Sequence, residues 1–425
     1  MKMIHSTQSM PAVVQWALAL QYIFAVFSGT LIVPMLTGLP APMALLFSGV
    51  STLFFHFFTR GKIPLFISCS FVFIGGTIAI RDTCVAQGTT QAMGLCYVCC
   101  GAFVTGLLYI AVGRLLHYLS YERILSFFPP VLTGSYIIAL GLVMLDSTFS
   151  NIASDWVVAL TTIIVIIFVQ HWCRRMIRVM LINIGMLAAL LVASIEGNVD
   201  FSPVSTVPWF ASPFNREFMA LNVFEHFDAG LLAMSVFTLT PLVIVSMVEH
   251  IADVLAISKT TKIDYMRTIG LTRTFSANGL ATMVSTMFGA PPSSAFTQTT
   301  GLIGITRACD PHLIRIASVM MVILAFCPKI GAAISCLPMA SIGAVTLIMY
   351  GTVIVIGLRT LVDAKVNLSD TRNLLIASVI LVLTVGIKFG LNDSVIICGI
   401  NFSALAISGI VGAALNIILP KGVKS

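Results

Sequence analysis

The sequence predicts an all-α polytopic membrane protein whose fourteen segments form two inverted sevens. Composition is the first reason: of 425 residues, 58% are hydrophobic and only 9% charged, with a mean hydropathy of +1.04. A soluble domain carries about 25% charged residues. The second reason is a succession of apolar stretches, each near the length of about 20 residues that spans a bilayer as a helix. The third is where the basic residues fall. The segments lie at 12–36, 41–58, 64–80, 90–113, 124–145, 153–171, 176–195, 229–256, 273–289, 295–306, 312–334, 337–357, 373–390 and 394–419. The third and tenth are short or broken.

With both termini cytoplasmic, only Arg81, Arg216, Lys329 and Lys388 of the 23 Lys and Arg residues fall outside. That is a strong positive-inside bias, and slipping one segment would scramble it. The outside loop from Glu196 to Asp228 is polar and acidic. The N-terminus carries Lys2 and His5 without a cleavage-type signal, and the first apolar stretch is long enough to be a span. The ten cysteines are scattered, most within apolar segments. The Cys96-Tyr-Val-Cys99-Cys100 cluster lies inside a helix of small apolar residues with no matching pair elsewhere, so it reads as packing. No disulfide framework is implied.

The two halves echo each other. Phe128-Pro129-Pro130 leads to Gly134 at the start of segment five, as Leu337-Pro338 leads to Gly343 at segment twelve. The broken segments occupy equivalent places in the two sevens. Gly61-Lys-Ile-Pro64 precedes Ser68-Cys-Ser70-Phe71 in one, and Gly289-Ala-Pro291-Pro292 precedes Ser293-Ser294-Ala-Phe296 in the other. Proline cannot sit inside a regular helix without removing a backbone donor. In a bilayer, irregular backbone is tolerated where protein buries it or where it lines a cavity. Because seven is odd, the second seven enters from the opposite side. Paired interrupted segments of this kind point to a transport site.

Of 16 acidic residues, only Glu249 and Asp253 fall well inside an apolar span. Four apart, they project from one helix face. An ionisable group there costs about 2.5–3.5 kcal/mol on insertion scales, so it normally faces a cavity and works in it. Two carboxylates one turn apart in a poorly solvated pocket should not both ionise easily, so the pair is expected to share a proton. His250 points about 100° round the helix and reads as a supporting or packing group. Intramembrane hydrolysis would need a nucleophile and base, or metal ligands such as His-Glu-x-x-His. No such spacing is present, and the seven histidines lie mostly at segment ends, so the reading is a transporter and not an enzyme.

The stretch Gln298-Thr-Thr-Gly301-Leu-Ile-Gly-Ile-Thr306-Arg307 resembles the signature of the nucleobase–ascorbate transporter family. Glu249-His250-Ile-Ala-Asp253 resembles that family's acidic motif. Gln21 before an aromatic residue, Gly61-Lys-Ile-Pro64 with Ser70-Phe71, and Ala277-Asn-Gly279 match as well. The likeness is to bacterial uracil and xanthine permeases and covers nearly the whole chain.

The resemblance implies a core domain from residues 1–113 and 229–334 and a gate domain from 114–228 and 335–425. Short strands in segments three and ten would meet near the midplane, with substrate held between core and gate. Carried over by position, Glu249 would be the principal substrate ligand and Gln298 the second. Phe71 and Thr297 would offer backbone N–H groups, and Phe296 and Tyr350 would face the base. It also implies proton coupling, with the proton as coupling ion and no cofactor, and a possible homodimer through the gate domain. The partners would be a nucleobase and the bilayer, not nucleic acid, and the place the cytoplasmic membrane. Asp253, His250, Gln21, Tyr22 and Thr299 would support the site or its proton.

Tyr22 stands where the family usually has histidine, and Thr299 replaces the signature asparagine. Gln298 and Asp253 follow the xanthine and urate pattern rather than the uracil one. An amide offers both a donor and an acceptor, so an oxopurine, xanthine or urate, is the expected substrate, with uracil as the alternative. An anion carrier of sulfate-permease-like architecture is the remoter alternative, disfavoured because Glu249 would repel an anion.

Overall fold

The computed structural model describes residues 11–118, 129–178, 180–391, 395–397, 400–402 and 404–420. The side chains of residues 28, 116, 117, 175, 176, 226, 297, 298, 305, 397, 400, 401 and 406 are outside that description.

The first quarter contains α1 (Ala12–Thr37), α2 (Ala41–Phe58), β1 (Ile67–Cys69), α3 (Ile74–Ala86) and α4 (Gln91–Tyr118). Next come α5 (Pro130–Val143), α6 (Leu145–Ala153), α7 (Trp156–Trp172) and α8 (Leu181–Ile195). After the loop 196–228, α9 (Ala229–Thr261), α10 (Leu271–Met287), β2 (Ser293–Ala295) and α11 (Thr297–Thr306) lead to α12 (Pro311–Ala325) and α13 (Pro328–Ser335). The chain closes with α14 (Met339–Asp363), α15 (Thr371–Gly390), β3 (Val395–Ile397), β4 (Ile400–Phe402) and α16 (Ala404–Ile418). Seven helices among the described residues are long and apolar enough to cross a membrane, and α12 with α13 makes a bent eighth.

Most helix starts are set by local chemistry. Proline occupies the first turn of α2, α5, α12 and α13, where its missing N–H costs nothing. Asp155, Asp228, Asp310 and Asp370 cap α7, α9, α12 and α15 by accepting backbone N–H groups. Four of the scarce carboxylates therefore end helices and stay out of the apolar interior.

The helices pack in two groups. In one, α4 lies on α9 and α10, and α2 on α10 and α12; in the other, α14 lies on α5, α6 and α7, α15 on α16 and α5, and α8 on α7. Across the groups, α9 meets α16 and β4. Gly106 and Gly279 let α4 and α10 touch backbone to backbone. A Cβ on either would stand 2.6–2.7 Å from the other's carbonyl oxygen. Small residues are what membrane helices use for such close approach.

Four predicted segments differ in detail. Segment 312–334 is two helices meeting at 80°: Cys327 is extended and Pro328 cannot donate, so the helix ends and restarts. Segment 394–419 opens with the antiparallel β3–β4 hairpin before its helix. The β-branched run Val395-Ile396-Ile397 favours strand over helix there. Segment 176–195 is interrupted after Arg178, and the main helix begins at Leu181. Segment 124–145 is helical from Pro130; its first residues lie outside the described ones. The Cys96 and Cys100 thiols pack as expected, and both also donate to the loop 196–228, at the carbonyls of Glu217 (3.3 Å) and Ala220 (3.2 Å).

Candidate functional site

The centre of the first group is a two-stranded antiparallel ribbon pairing Ile67 with Ala295, Ser68 with Ser294 and Cys69 with Ser293. Backbone bonds extend it at both ends, from Ser70 N–H to the Pro292 carbonyl (2.8 Å) and from Phe296 N–H to the Phe66 carbonyl (3.0 Å). A ribbon in an apolar interior leaves two open edges whose backbone groups need partners. Hydroxyl groups from the flanking helices supply them. Thr52 of α2 accepts from Ile67 N–H (2.9 Å) and donates to the Ile67 carbonyl (2.8 Å). Thr282 of α10 does the same for Ser293, at 3.3 and 3.1 Å. Ser68 is held by Thr30 (2.7 Å) and Ser48 (2.8 Å), Ser293 by Ser51 (3.1 Å), and Asn278 donates to the Ser293 carbonyl (3.3 Å).

Each strand runs directly into a helix start. Beyond β1 the 3-10 turn Phe71–Phe73 leads into α3, and beyond β2 α11 begins at Thr297. Two sets of N-terminal amides, which have no intrahelical acceptors, therefore converge on one place. The rings of Phe71 and Phe296 lie against each other there, centroids 5.5 Å apart and tilted by 36°. They fit because residue 29 of α1 is glycine. A Cβ there would stand 2.5 Å from Phe296 Cζ and 3.1 Å from Phe71 Cζ.

Helix α9 packs against the 3-10 turn, α3, β2 and α11 together. It carries Glu249, whose Oε2 is buried with no hydrogen-bond partner among the described residues. Asp253, one turn on, is 3% exposed. His250 turns to the other side, edge-on between Phe55 (6.2 Å) and Phe275 (5.2 Å), which is a packing environment. About two turns before Asp253, α9 meets α4, where Tyr109 donates to Ser246 (2.7 Å).

The other predicted residues are placed less uniformly. Thr297 and Gln298 occupy the first two positions of α11, but their side chains lie outside the described residues. Among the described residues, the buried Thr299 hydroxyl and Gln21 Oε1 have no hydrogen-bond partner. Tyr22 donates to the Ala308 carbonyl (2.6 Å), tying α1 to the far end of α11 and not to its start. Tyr350 is buried on α14 in the apolar cluster against which Phe71 packs. Sequence reasoning missed Gly29 and the bracing hydroxyls. A signal existed: Ser48 with Thr52, and Asn278 with Thr282, are polar pairs four apart on otherwise apolar helices, hence on one face.

A helical protein crossing the bilayer many times, with two broken helices meeting at a braced ribbon beside a buried carboxylate, has the build of a membrane transporter. The chain belongs to the xanthine/uracil permease family: the family profile, described as "Permease family", matches residues 15–392. It is a permease and not an enzyme. It is 33% identical to the uracil permease of Bacillus caldolyticus, over 99% of this chain and 95% of that one. With the uracil permease of Bacillus subtilis it shares 32% identity, over 97% and 94%. Among solved structures, the transmembrane domain of a cyanobacterium bicarbonate transporter, BicA, shares the fold with a TM-score of 0.64 at 13% identity, covering 96% of this chain and 98% of that one. SLC26A9 does so with a TM-score of 0.66 at 14% identity, covering 96% and 65%.

Proposed function

We propose that the chain imports uracil with a proton across the cytoplasmic membrane. The observation that carries this is Glu249: a buried carboxylate oxygen with no described partner, on the helix that passes both half-helix starts. An ionised Glu249 accepts the N–H groups of a planar base, a charge-assisted bond stronger than a neutral one. Gln298, at the start of α11, adds an amide. Phe71 and Phe296 stack on the ring, with the N–H groups of Phe71 and Thr297 and the ring of Tyr350 completing the pocket.

Uracil now ranks above xanthine and urate, reversing the order that Gln298 and Asp253 suggested. Relatives named uracil permease, 33% and 32% identical over nearly the full chain, support the change. Physically, one amide discriminates poorly, because it offers a donor or an acceptor by turning over. The anion-carrier reading shares only the fold, and a central carboxylate opposes it.

The same reading has fourteen crossings in two inverted sevens, with both termini cytoplasmic. The matched use of Thr52 on β1 and Thr282 on β2, from helices in equivalent places, supports the repeat. The two packing groups support a core of residues 1–113 and 229–334 and a gate of 114–228 and 335–425, through which a homodimer would form. Asp253 shares the transported proton with Glu249, and Gln21 and Thr299 support them. The test is uptake of labelled uracil in a permease-deficient host, with xanthine and urate as competitors. Saturable uracil uptake is expected; strong xanthine inhibition with none from uracil would restore the first ranking. Sulfate or bicarbonate transport without nucleobase uptake would overturn the class of substrate.

A further inference from the structure

Helices α2 and α12 form a continuous apolar face. They touch closely: a Cβ on Gly49 would stand 2.5 Å from the Ser318 carbonyl. On α2 the face shows Phe54, Phe57 and Phe58, exposed by 38%, 79% and 38%, and on α12 it shows Val319 and Ile323, by 43% and 59%. Arg315 lies four residues before Val319 and eight before Ile323, on the same stripe. At this edge α2 ends in the turn Thr59-Arg60-Gly61-Lys62, with Arg60 left-handed at φ 59°. Left-handed backbone strains a side chain that glycine would not have. The Arg315 guanidinium lies over that turn, Nη1 3.1 Å from where a Cβ on Gly61 would stand.

Arg60, Lys62 and Arg315 are all exposed. The ion pairs among the described residues, Arg81–Asp82 and Arg267–Asp264, involve none of them. Three cations without carboxylate partners thus sit at the rim of an aromatic, acyl-chain-like surface. Cation clusters directly beside a membrane span attract anionic lipid headgroups, and guanidinium groups match phosphate geometry.

We propose that Arg60, Lys62 and Arg315 hold the phosphodiester of an anionic phospholipid, whose chains lie along Phe54, Phe57, Val319 and Ile323. The leaflet would be the cytoplasmic one, which rests on the orientation proposed above; the lipid site itself does not. A lipid held here is anchored to α2, the helix whose Ser48, Ser51 and Thr52 brace the central ribbon.

Native mass spectrometry of the purified protein in neutral detergent tests this, with phosphatidylglycerol and phosphatidylcholine of identical chains as probes. The native protein should retain phosphatidylglycerol preferentially. Replacing Arg60, Lys62 and Arg315 together by alanine should lower that retention roughly 100-fold, the combined effect of three surface cations. Replacing Lys259, Lys262 and Arg267 by alanine makes the same charge change elsewhere and should leave retention intact. Should the first triple variant not fold, exposed Lys62→Glu alone, a change of two charges, should reduce retention about 30-fold with thermal unfolding unchanged. Equal retention of phosphatidylcholine, unaltered retention in the Lys62→Glu or triple variant, or equal loss in both triple variants would overturn the proposal. None of these outcomes depends on which substrate is transported.

Discussion

Glu249 and Asp253 differ in what surrounds them. Glu249 is part-buried, whereas Asp253 is almost wholly enclosed at 3% exposure. On the function proposed, Glu249 is the carboxylate presented to a ligand, and Asp253 the one that takes up a proton alongside it. Hydrogen bonds to a charged group contribute about 1.5–3 kcal/mol each, so Glu249→Gln should weaken uracil binding by at least about tenfold. Equilibrium binding to the purified protein measures this, and unchanged affinity would exclude Glu249 as the principal ligand. Asp253→Asn should leave binding measurable while abolishing accumulation driven by an imposed proton gradient. Vesicles preloaded at acid or neutral pH separate the two effects. Normal accumulation by Asp253→Asn would remove it from the coupling mechanism.

At the scale of elements, the ribbon persists because side chains on α2 and α10 replace the strand partners it lacks. Thr52→Val keeps shape but leaves the Ile67 N–H and carbonyl unpaired, and Thr282→Val leaves the Ser293 N–H unpaired while Asn278 still serves its carbonyl; each costs about 1–3 kcal/mol. Thr59→Val is the control, since Thr59 bonds only to the Phe55 carbonyl in its own helix. Thermal unfolding in detergent should show a clear loss for the first two variants and little for the third. Equal losses in all three would mean that the ribbon edges are satisfied in some other way.

The two broken segments were legible in the sequence, because prolines and small polar residues interrupt apolar runs at Pro64 and Pro291-Pro292. The carboxylate pair was legible because charge is rare there. The hydroxyl braces were legible only as polar pairs four apart, since serine and threonine bond to their own helix so often that spacing alone does not name a distant partner. The β3–β4 hairpin was not legible, because its run Val395-Ile396-Ile397 is as apolar as any span. Periodicity cannot separate a short apolar strand from a helix. The bend at Pro328 was hidden by the hydropathy of the residues on both sides.

For the whole molecule, the function proposed has the group holding the ribbon move against the group that faces it, and the contacts between them are where that motion would be resisted. On the outer side of the ribbon, in the orientation proposed, Gly75 of α3 lies against the Met144 and Leu405 side chains. Gly409 of α16 lies against Pro241 of α9, where a Cβ would stand 2.9 Å from the Pro241 ring. On the inner side, Asn183 of α8 donates to the Phe24 carbonyl of α1 (2.7 Å). The outer contacts are apolar and tight, so on the function proposed they would close the route outside, and opening it would mean separating them. A Gly75→Cys, Met144→Cys protein should therefore cross-link under mild oxidation and lose uracil uptake, with uptake restored by reductant. Each single variant, in the same background of native cysteines, should keep its uptake through the same treatment. Substrate present outside should slow the cross-link, because it favours the state in which these residues are apart. Full uptake by the cross-linked protein would show that the two groups do not separate at this contact.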